Sequence, residues 1–461
     1  MGYSTAGTLI SNIVVVRLNS NGTLDASFGA GGIVFTPLLG AGAPSSGDIA
    51  NAVVIQTDGK IVVVGSSDSS GTLRHFLVVR YNADGTIDTT FNPAGGPLPY
   101  TNPPGSVVTD FSGNDTSQDI AYAVAFQSDG KIIAVGSTVL ATQHFALARY
   151  NADGTLDVTF NPGGGPLPFI NPPGTVVTDF DPIGNTSSEQ ARAVNILPDG
   201  RIAVAGFGDL GTQTSAMLAR YLPNGALDIT FFGGPPAIVP GTVVTQTQVM
   251  AGHTDEFYGL ALQADGKLVA GGLTEFGGGI NFFLARYLTT GALDPSFNGG
   301  GAPPGMVVTI LQFTSAIAAV ALQANGYIVG VGSSIGNNQI AAARYISSVP
   351  LTPTTIITPA AGSTIGGVTV ISGTAQNPSI IDLFLDGFPL ASTVTIGATN
   401  TWSVTLPAPI PPGMHTLSAV ARYHDDGHVN IAAAIQDFTI VICVDNIDPF
   451  VILYDQIYPF C

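Results

Sequence analysis

Two short polar runs hold the residues best suited to acid–base or metal chemistry: His253-Thr254-Asp255-Glu256 and His424-Asp425-Asp426-Gly427-His428, the latter close to His415. An imidazole beside carboxylates is the usual makeup of a proton-transfer site or a metal centre. Position in the chain argues against both here. Asp255 stands where Asp48, Asp119 and Glu189 stand in earlier copies of a repeat, four residues before an apolar strand, so it reads as structural. The second run reads as a turn between two strands. His75 and His144 match each other at the start of "FLVV" and "FALA", which makes them repeat residues rather than a lone base. The "ADGTLD" turns lack the carboxylate density of an EF-hand loop. No phosphate-binding loop, GxSxG elbow, HExxH, Cys-His pairing or four-Cys zinc spacing occurs. The expectation is a protein with no catalytic residue, no cofactor and no metal, and not an enzyme.

The remaining charge is mostly periodic. Ten of the 13 basic residues fall at repeat positions: Lys60, Lys131, Arg201 and Lys267 after a turn, and Arg17, Arg80, Arg149, Arg220, Arg286 and Arg344 before Tyr or Leu. Asp25, Asp88, Asp157, Asp228 and Asp294 repeat in an "LD" step. Chemistry is needed once, folding in every copy, so these residues are expected to pair and to satisfy backbone groups between strands.

The elements that position them are strands. One block recurs five times: "AVVIQTDGKIVVVG", "AVAFQSDGKIIAVG", "AVNILPDGRIAVAG", "GLALQADGKLVAGG" and "AVALQANGYIVGVG". Each is two apolar runs around Asp-Gly or Asn-Gly, which predicts a β-hairpin with a two-residue turn at positive φ. A second block, such as "FALARYNADGTLDVTF", predicts another strand, turn and strand. The turn glycines Gly59, Gly130, Gly200, Gly266 and Gly326 are 71, 70, 66 and 60 residues apart. Four strands fit in each period. Units of that size repeated radially make a β-propeller, whereas solenoid repeats are usually shorter.

The recurring "DGKI", "LARYN", "DGTLD" and "TF" resemble the delta-60 repeats of bacterial β-propeller proteins, over residues 10 to 346. The resemblance implies the fold and brings no general catalytic activity with it. The fold expected is all-β: a propeller of five or six four-stranded blades in 1–346, a linker in 347–354, an immunoglobulin-like sandwich in 355–442 and an apolar tail in 443–461. The last repeat lacks its fourth strand, and the N-terminus offers a third and a fourth. An incomplete blade presents an open edge, and open edges recruit strands.

After Tyr345 the period stops, and "ITPAAGSTI", "SGTAQNPS", "LFLDGFPL", "TWSVTLP" and "PPGMHTLSAVARY" resemble bacterial Ig-like repeats of surface proteins. Around seven strands in about 90 residues fit such a sandwich. Trp402 reads as core. The final "CVDNIDPFVILYDQIYPFC" carries both cysteines, Cys443 and Cys461. They close a loop by a disulfide worth roughly 3 kcal/mol of chain entropy, stay free, or pair between molecules. Phe450, Val451, Ile452, Leu453 and Tyr454 form either a last sandwich strand or a strand donated to another subunit.

Composition narrows the function classes. The chain has 461 residues, only 10% of them charged, with 58 Gly, 32 Pro and a net charge of -18. Only three acids are Glu, and Asp favours turns where Glu favours helices. An acidic surface excludes nucleic acid and disfavours anionic membranes, and no apolar run is long enough to span a bilayer. The N-terminus lacks the basic and apolar regions of a secretory signal. Pro-rich connections, among them Asn92 to Phe111 and Asn161 to Phe180, are expected to crowd one rim and to offer Tyr100 and Phe169 as contacts. Together these features imply a non-enzymatic extracellular or cell-surface protein that assembles with itself as an oligomer or polymer, through an open blade edge, the Pro-rich loops and the tail. The competing expectation is an adhesion protein whose propeller binds glycans or surface proteins.

Overall fold

In the computed structural model the chain is all-β, without a helix among the described residues. These are 2–5, 11–37, 47–68, 73–95, 103–164, 171–181, 188–211, 213–232, 234–235, 237, 239–248, 252–298, 304–311, 314–323, 326–334 and 339–345, then 355–358, 370–374, 379–385, 388–395, 401–405, 417–425 and 428–435. Two compact units result, 1–322 with 328–347, and 323–327 with 348–461.

The first unit carries four blades of four antiparallel strands, each in sequential order. The first blade is Ile49–Ile55, Ile61–Ser67, His75–Tyr81 and Ser106–Thr109. The second is Gln118–Phe126, Ile132–Val139, Gln143–Tyr150 and Thr175–Thr178; the third is Ser188–Ile196, Ile202–Asp209, Thr214–Tyr221 and Thr242–Thr245. The fourth is Asp255–Leu262, Leu268–Phe276, Gly279–Tyr287 and Met306–Thr309. A three-stranded sheet precedes them (Gly2–Thr5, Ser11–Val16, Ile33–Thr36), and another follows (Ser315–Leu322, Ile328–Ser334, Gln339–Tyr345).

Two local expectations are corrected. The "DGK" turns are not two-residue turns. In the second blade the Gln127 N–H donates to Lys131 O at 2.9 Å and the Gly130 N–H to Gln127 O at 3.0 Å. Gly130 has φ of 83° while Asp129 is not at positive φ, so the loop is a type I turn closed by a left-handed glycine. Nor is "TLDVTF" a strand. Only Leu156 bridges back to Tyr150, and the fourth strand is the "TVVT" beyond the Pro-rich segment. The Pro-rich segments therefore lie inside blades, between third and fourth strands.

One clasp repeats at the end of each third strand. Arg149 Nε donates to Asp157 Oδ2 at 2.7 Å, its guanidinium lies 4.5 Å over the Phe160 ring, and Nη1 reaches Pro223 O of the next blade. Arg17, Arg80 and Arg220 do the same with Asp25, Asp88 and Asp228, over Phe28, Phe91 and Phe231, reaching Ala83, Ala152 and Thr289 O. Arg286 pairs with Asp294 over Phe297. Neighbouring blades are also joined by a buried hydroxyl pair, Thr109 with Tyr150 at 2.7 Å, repeated as Thr36 with Tyr81, Thr178 with Tyr221 and Thr245 with Tyr287. The expectation that the periodic Arg and Asp are structural describes what they do.

The clasp sets an acid limit. Burial alone would raise the Asp157 carboxyl, but hydrogen bonds from Thr159 and Lys131 and the charge of Arg149 outweigh it and hold it at about 2. Asp88, Asp228 and Asp294 are lowered by the same kinds of contact. Carboxyls depressed in the fold bind fewer protons there than in the unfolded chain, so they stabilise above the unfolded value near 4 and lose that contribution as pH falls. The clasp contribution to the urea midpoint is expected to be flat from about pH 7 to 5 and to drop steeply between about pH 4 and 2. A midpoint that stays level through that window would show that the clasps carry no stability.

The second unit holds a three-stranded sheet (Thr355–Thr358, Val370–Thr374, Thr401–Thr405) and a four-stranded one ordered Phe388–Thr395, Ser379–Leu385, Leu417–Asp425, His428–Ile435. Trp402 is buried, as expected for core. His424 and Asp425 end one strand and His428 opens the next, Asp425 pairing with His428, so the polar run spans the junction of the last two strands.

Candidate functional site

The first strands of the blades are all irregular at one place. The register slips between Ala50 and Ala52, Ala121 and Ala123, Ala191 and Ala193, Phe257 and Gly259, and Ile317 and Ala319. Each slip leaves one extra residue, a β-bulge that re-aims a side chain: Asn51, Tyr122, Arg192, Tyr258 and Ala318. These positions do not repeat in kind. Asn51 donates to Ala121 O of the neighbouring first strand at 2.8 Å. Arg192 packs 3.9 Å over the Tyr122 ring and lies 5.4 and 5.8 Å from the Phe207 and Tyr258 rings, so side chains from three blades meet. Its Nη2 donates to Gln190 Oε1 at 2.6 Å, while its Nε is buried without a partner. Tyr258 donates to the Glu256 carboxylate. Burial pushes the Glu256 carboxyl up, against the opposing pull of Tyr258 and the Arg192 charge.

Beside this group, on the strand that carries Phe207, Asp209 opens a pocket of about 180 Å³ lined by Asp209, Gly211, Gln213, Thr214, Gly252, His253 and Thr254. A parallel bridge between Thr214 and Thr254 and the Thr214 N–H donated to His253 O fix its wall. His253 is buried, with Nε2 2.8 Å from Thr247 Oγ1 and 3.2 Å from Asp255 Oδ2. The Thr247 hydroxyl donates to Asp255 Oδ1 at 2.9 Å. A hydroxyl has one hydrogen to give, so Thr247 accepts from His253 Nε2–H. In the neutral ring Nδ1 is then an acceptor, and it is buried with no partner. Thr214 Oγ1 donates to Asp209 Oδ1 at 2.6 Å. The pocket is thus lined by a carboxylate, a threonine hydroxyl and an imidazole whose Nδ1 has no partner.

Elsewhere histidine and carboxylates meet between blades. His75 Nδ1 is 3.0 Å from Asp119 Oδ2 and its Nε2 is 2.9 Å from Asp115 Oδ1. Burial pulls this imidazole down, but the bonds and charge of Asp119, with Asp115 and Asp110, outweigh it and its pKa ends above the usual value. One blade on, His144 Nδ1 is 2.7 Å from Glu189 Oε2.

Of the residues expected to mediate assembly, Tyr100, Phe169, Cys443, Phe450, Val451, Ile452, Leu453, Tyr454 and Cys461 all lie outside the described residues. His415 does too. The repeat of Asp255 gives the run at His253 a structural reading, yet His253 itself does not repeat and lines the pocket. Two residues before the repeated acid the chain has Ser46, Ser117, Ser187, His253 and Phe313. Arg192 is likewise one of the three basic residues outside the periodic positions. Both signals were present in the repeat alignment.

A sequence-family profile described as "Domain of unknown function (DUF5122) beta-propeller" matches residues 6–28, 56–91, 127–160, 197–231 and 263–297. The chain is a β-propeller repeat protein. No match falls on the C-terminal unit, and the Ig-like likeness of that unit gains no support. No curated protein matches the chain. Similar solved structures include the polysaccharide lyase Uly1 (11% identity, 84% of this chain and 89% of that one, TM-score 0.34). Two more are an exo-1,5-alpha-L-arabinanase from a bovine ruminal metagenomic library (10%, 65% and 92%, TM-score 0.29) and a hypothetical protein from Leishmania major (10%, 64% and 83%, TM-score 0.28). Two of the three bear enzyme titles, so the expectation of a protein without enzymatic activity is withdrawn. At these identities the likeness transfers no activity to this chain. Self-assembly gains no support from the comparisons.

Proposed function

We propose that the propeller is a binding head for a polyhydroxylated ligand, a glycan, taken at the pocket beside His253 with the Arg192 group as its neighbour. One observation carries this reading: where the repeat breaks, a pocket opens whose wall includes His253, a buried imidazole with an Nδ1 that has no hydrogen-bond partner. An unmet buried acceptor costs about 1–3 kcal/mol, which a donor from a ligand recovers. The acceptors His253 Nδ1 and Asp209 call for a ligand rich in donors, and sugar hydroxyls supply several at short spacing. The acidic, sparsely basic surface is unsuited to nucleic acid. A glycan-binding head accords with a place at the cell surface or outside the cell.

The test is an array of neutral and acidic oligosaccharides probed with the full chain, followed by calorimetric titration of the best binder into wild type and His253→Gln. Affinity is expected to fall about 5- to 150-fold in the variant, the equivalent of one buried acceptor, with circular dichroism unchanged. An array with no oligosaccharide above background, or equal affinities in the two proteins, would sink the reading.

A further inference from the structure

Two successive junctions between blades gather the same donors from the same three places. His75 opens the third strand of the first blade, Asp110 follows its fourth strand, and Asp119 lies on the first strand of the second blade. His144, Asp179 and Glu189 hold those places one blade on. In each group one ligand atom per residue lies within 4.8 Å of the others. His75 Nδ1 stands 3.0 Å from Asp119 Oδ2 and 4.0 Å from Asp110 Oδ1, and the first spacing is close to the roughly 3.0 Å edge of an octahedron with metal–ligand bonds of about 2.1 Å.

The three places change together. The strand registers align Asn12, Pro37 and Asp48 with them at the preceding junction, and Ser215, Gln246 and Asp255, then Asn281, Ile310 and Ser315, at the following ones. Where the histidine is missing, the acid after the fourth strand is missing too. The trio therefore behaves as one unit rather than as three independent choices.

Charge makes that unit incomplete. Asp110, Asp115 and Asp119 surround a single imidazole, and no Lys or Arg among the described residues comes within ion-pair distance of them. Even a protonated His75 leaves two negative charges in excess. Asp119 is fully buried, and its Oδ1, on the carboxylate that meets His75, has no partner. Asp110 accepts hydrogen bonds from Ser112, Ser117 and the Asp115 N–H, and Asp119 Oδ2 from Ser117 and the Phe111 N–H, but the net negative charge keeps no cationic counterpart among the described residues, and such burial is costly. A divalent cation on the first group, with the imidazole neutral, would leave one negative charge.

We propose that each of these junctions binds one divalent first-row cation, manganese or zinc, through its imidazole and carboxylates, tying the third strand of one blade to the first strand of the next. Mixed imidazole and carboxylate donors suit such ions. The site is separate from the pocket at His253, so its test does not depend on ligand binding there.

The full chain, stripped with EDTA and dialysed, is titrated with Mn2+ while free Mn2+ is read by electron paramagnetic resonance. Two equivalents are expected to bind, one per group. His75→Gln and the isosteric Asp119→Asn should each bind one, and the His75→Gln/His144→Gln double variant none, with circular dichroism confirming that each is folded. The wild-type melting temperature should rise with Mn2+, a readout that needs no variant. Absence of Mn2+ binding with no shift in melting, or retention of both equivalents by the double variant, overturns the proposal.

Discussion

Gly136→Ala is expected to be among the most destabilising single substitutions in the propeller, costing at least about 3 kcal/mol. A Cβ at Gly136 would sit 1.9 Å from Ile120 O and 2.9 Å from Ala121 Cα. The clash is with backbone, so no rotamer change relieves it. That backbone is the first-strand bulge, where the register slips between Ala121 and Ala123. The same approach recurs at Gly65, Gly206, Gly272 and Gly332, where the added carbon would lie 1.8 or 1.9 Å from Ile49, Gln190, Glu256 and Ala316 O. The glycine that closes every "VG", "AG" or "GG" run is therefore the partner of the bulge that re-aims Tyr122, Arg192 and Tyr258. Gly130→Ala is the control. At Gly130 φ is 83° and an added Cβ would meet only Ala152 Cβ at 3.9 Å, so only backbone strain of about 1–2 kcal/mol is expected. Urea unfolding of both variants measures the difference. Equal midpoints, or Gly136→Ala within about 0.5 kcal/mol of wild type, would mean that the bulge yields.

The blade period, the hairpins and the structural part played by the periodic Arg and Asp were legible because they recur with fixed neighbours. The turn type was not. Asp-Gly serves both a two-residue hairpin and a type I turn closed by glycine, and the two differ in loop length and in φ at the aspartate, neither of which the dipeptide encodes. The fourth strand was misplaced for a different reason: "TVVT" has four residues and follows a Pro-rich segment, whereas "TLDVTF" alternates more convincingly yet forms a single bridge at Leu156. The pocket was hidden by its own regularity. Asp255 repeats and drew His253 into a structural reading, although the imidazole at that place has no counterpart in any other copy. Arg192, Tyr122 and Tyr258 are 70 and 66 residues apart in sequence and meet only because first strands of neighbouring blades lie side by side. Repeat alignment could have marked them as exceptions, but only the packing shows that the exceptions touch.

Arg149→Ala is expected to cost about 3–5 kcal/mol near neutral pH, the usual penalty for removing one partner of a buried ion pair. Arg149 and Asp157 side chains are only 6% and 4% exposed, and the arginine also covers Phe160 and reaches Pro223 O of the third blade. Removing it leaves the Asp157 carboxylate buried with Lys131, at 3.0 Å, as its remaining cation. The Asp157 pKa should then rise from about 2, since the Arg149 charge is one of the contacts that hold it down. A carboxyl less depressed in the fold takes up less of an excess of protons on unfolding, so the variant's stability should depend less on pH than that of wild type. The gap between the two proteins is therefore expected to narrow as pH falls from about 6 to 3, because the unfolded chain then takes up a proton that wild type, with Asp157 held at about 2, does not bind in the fold. Urea unfolding of wild type, Arg149→Ala, Asp157→Ala and the double variant at both pH values reads this directly. The coupling energy from that cycle should be large near pH 6 and smaller near pH 3. A gap of the same size at both pH values would assign the cost to lost packing on Phe160 and to the inter-blade carbonyl bond, and would leave the ion pair without a measurable part in holding the blades together.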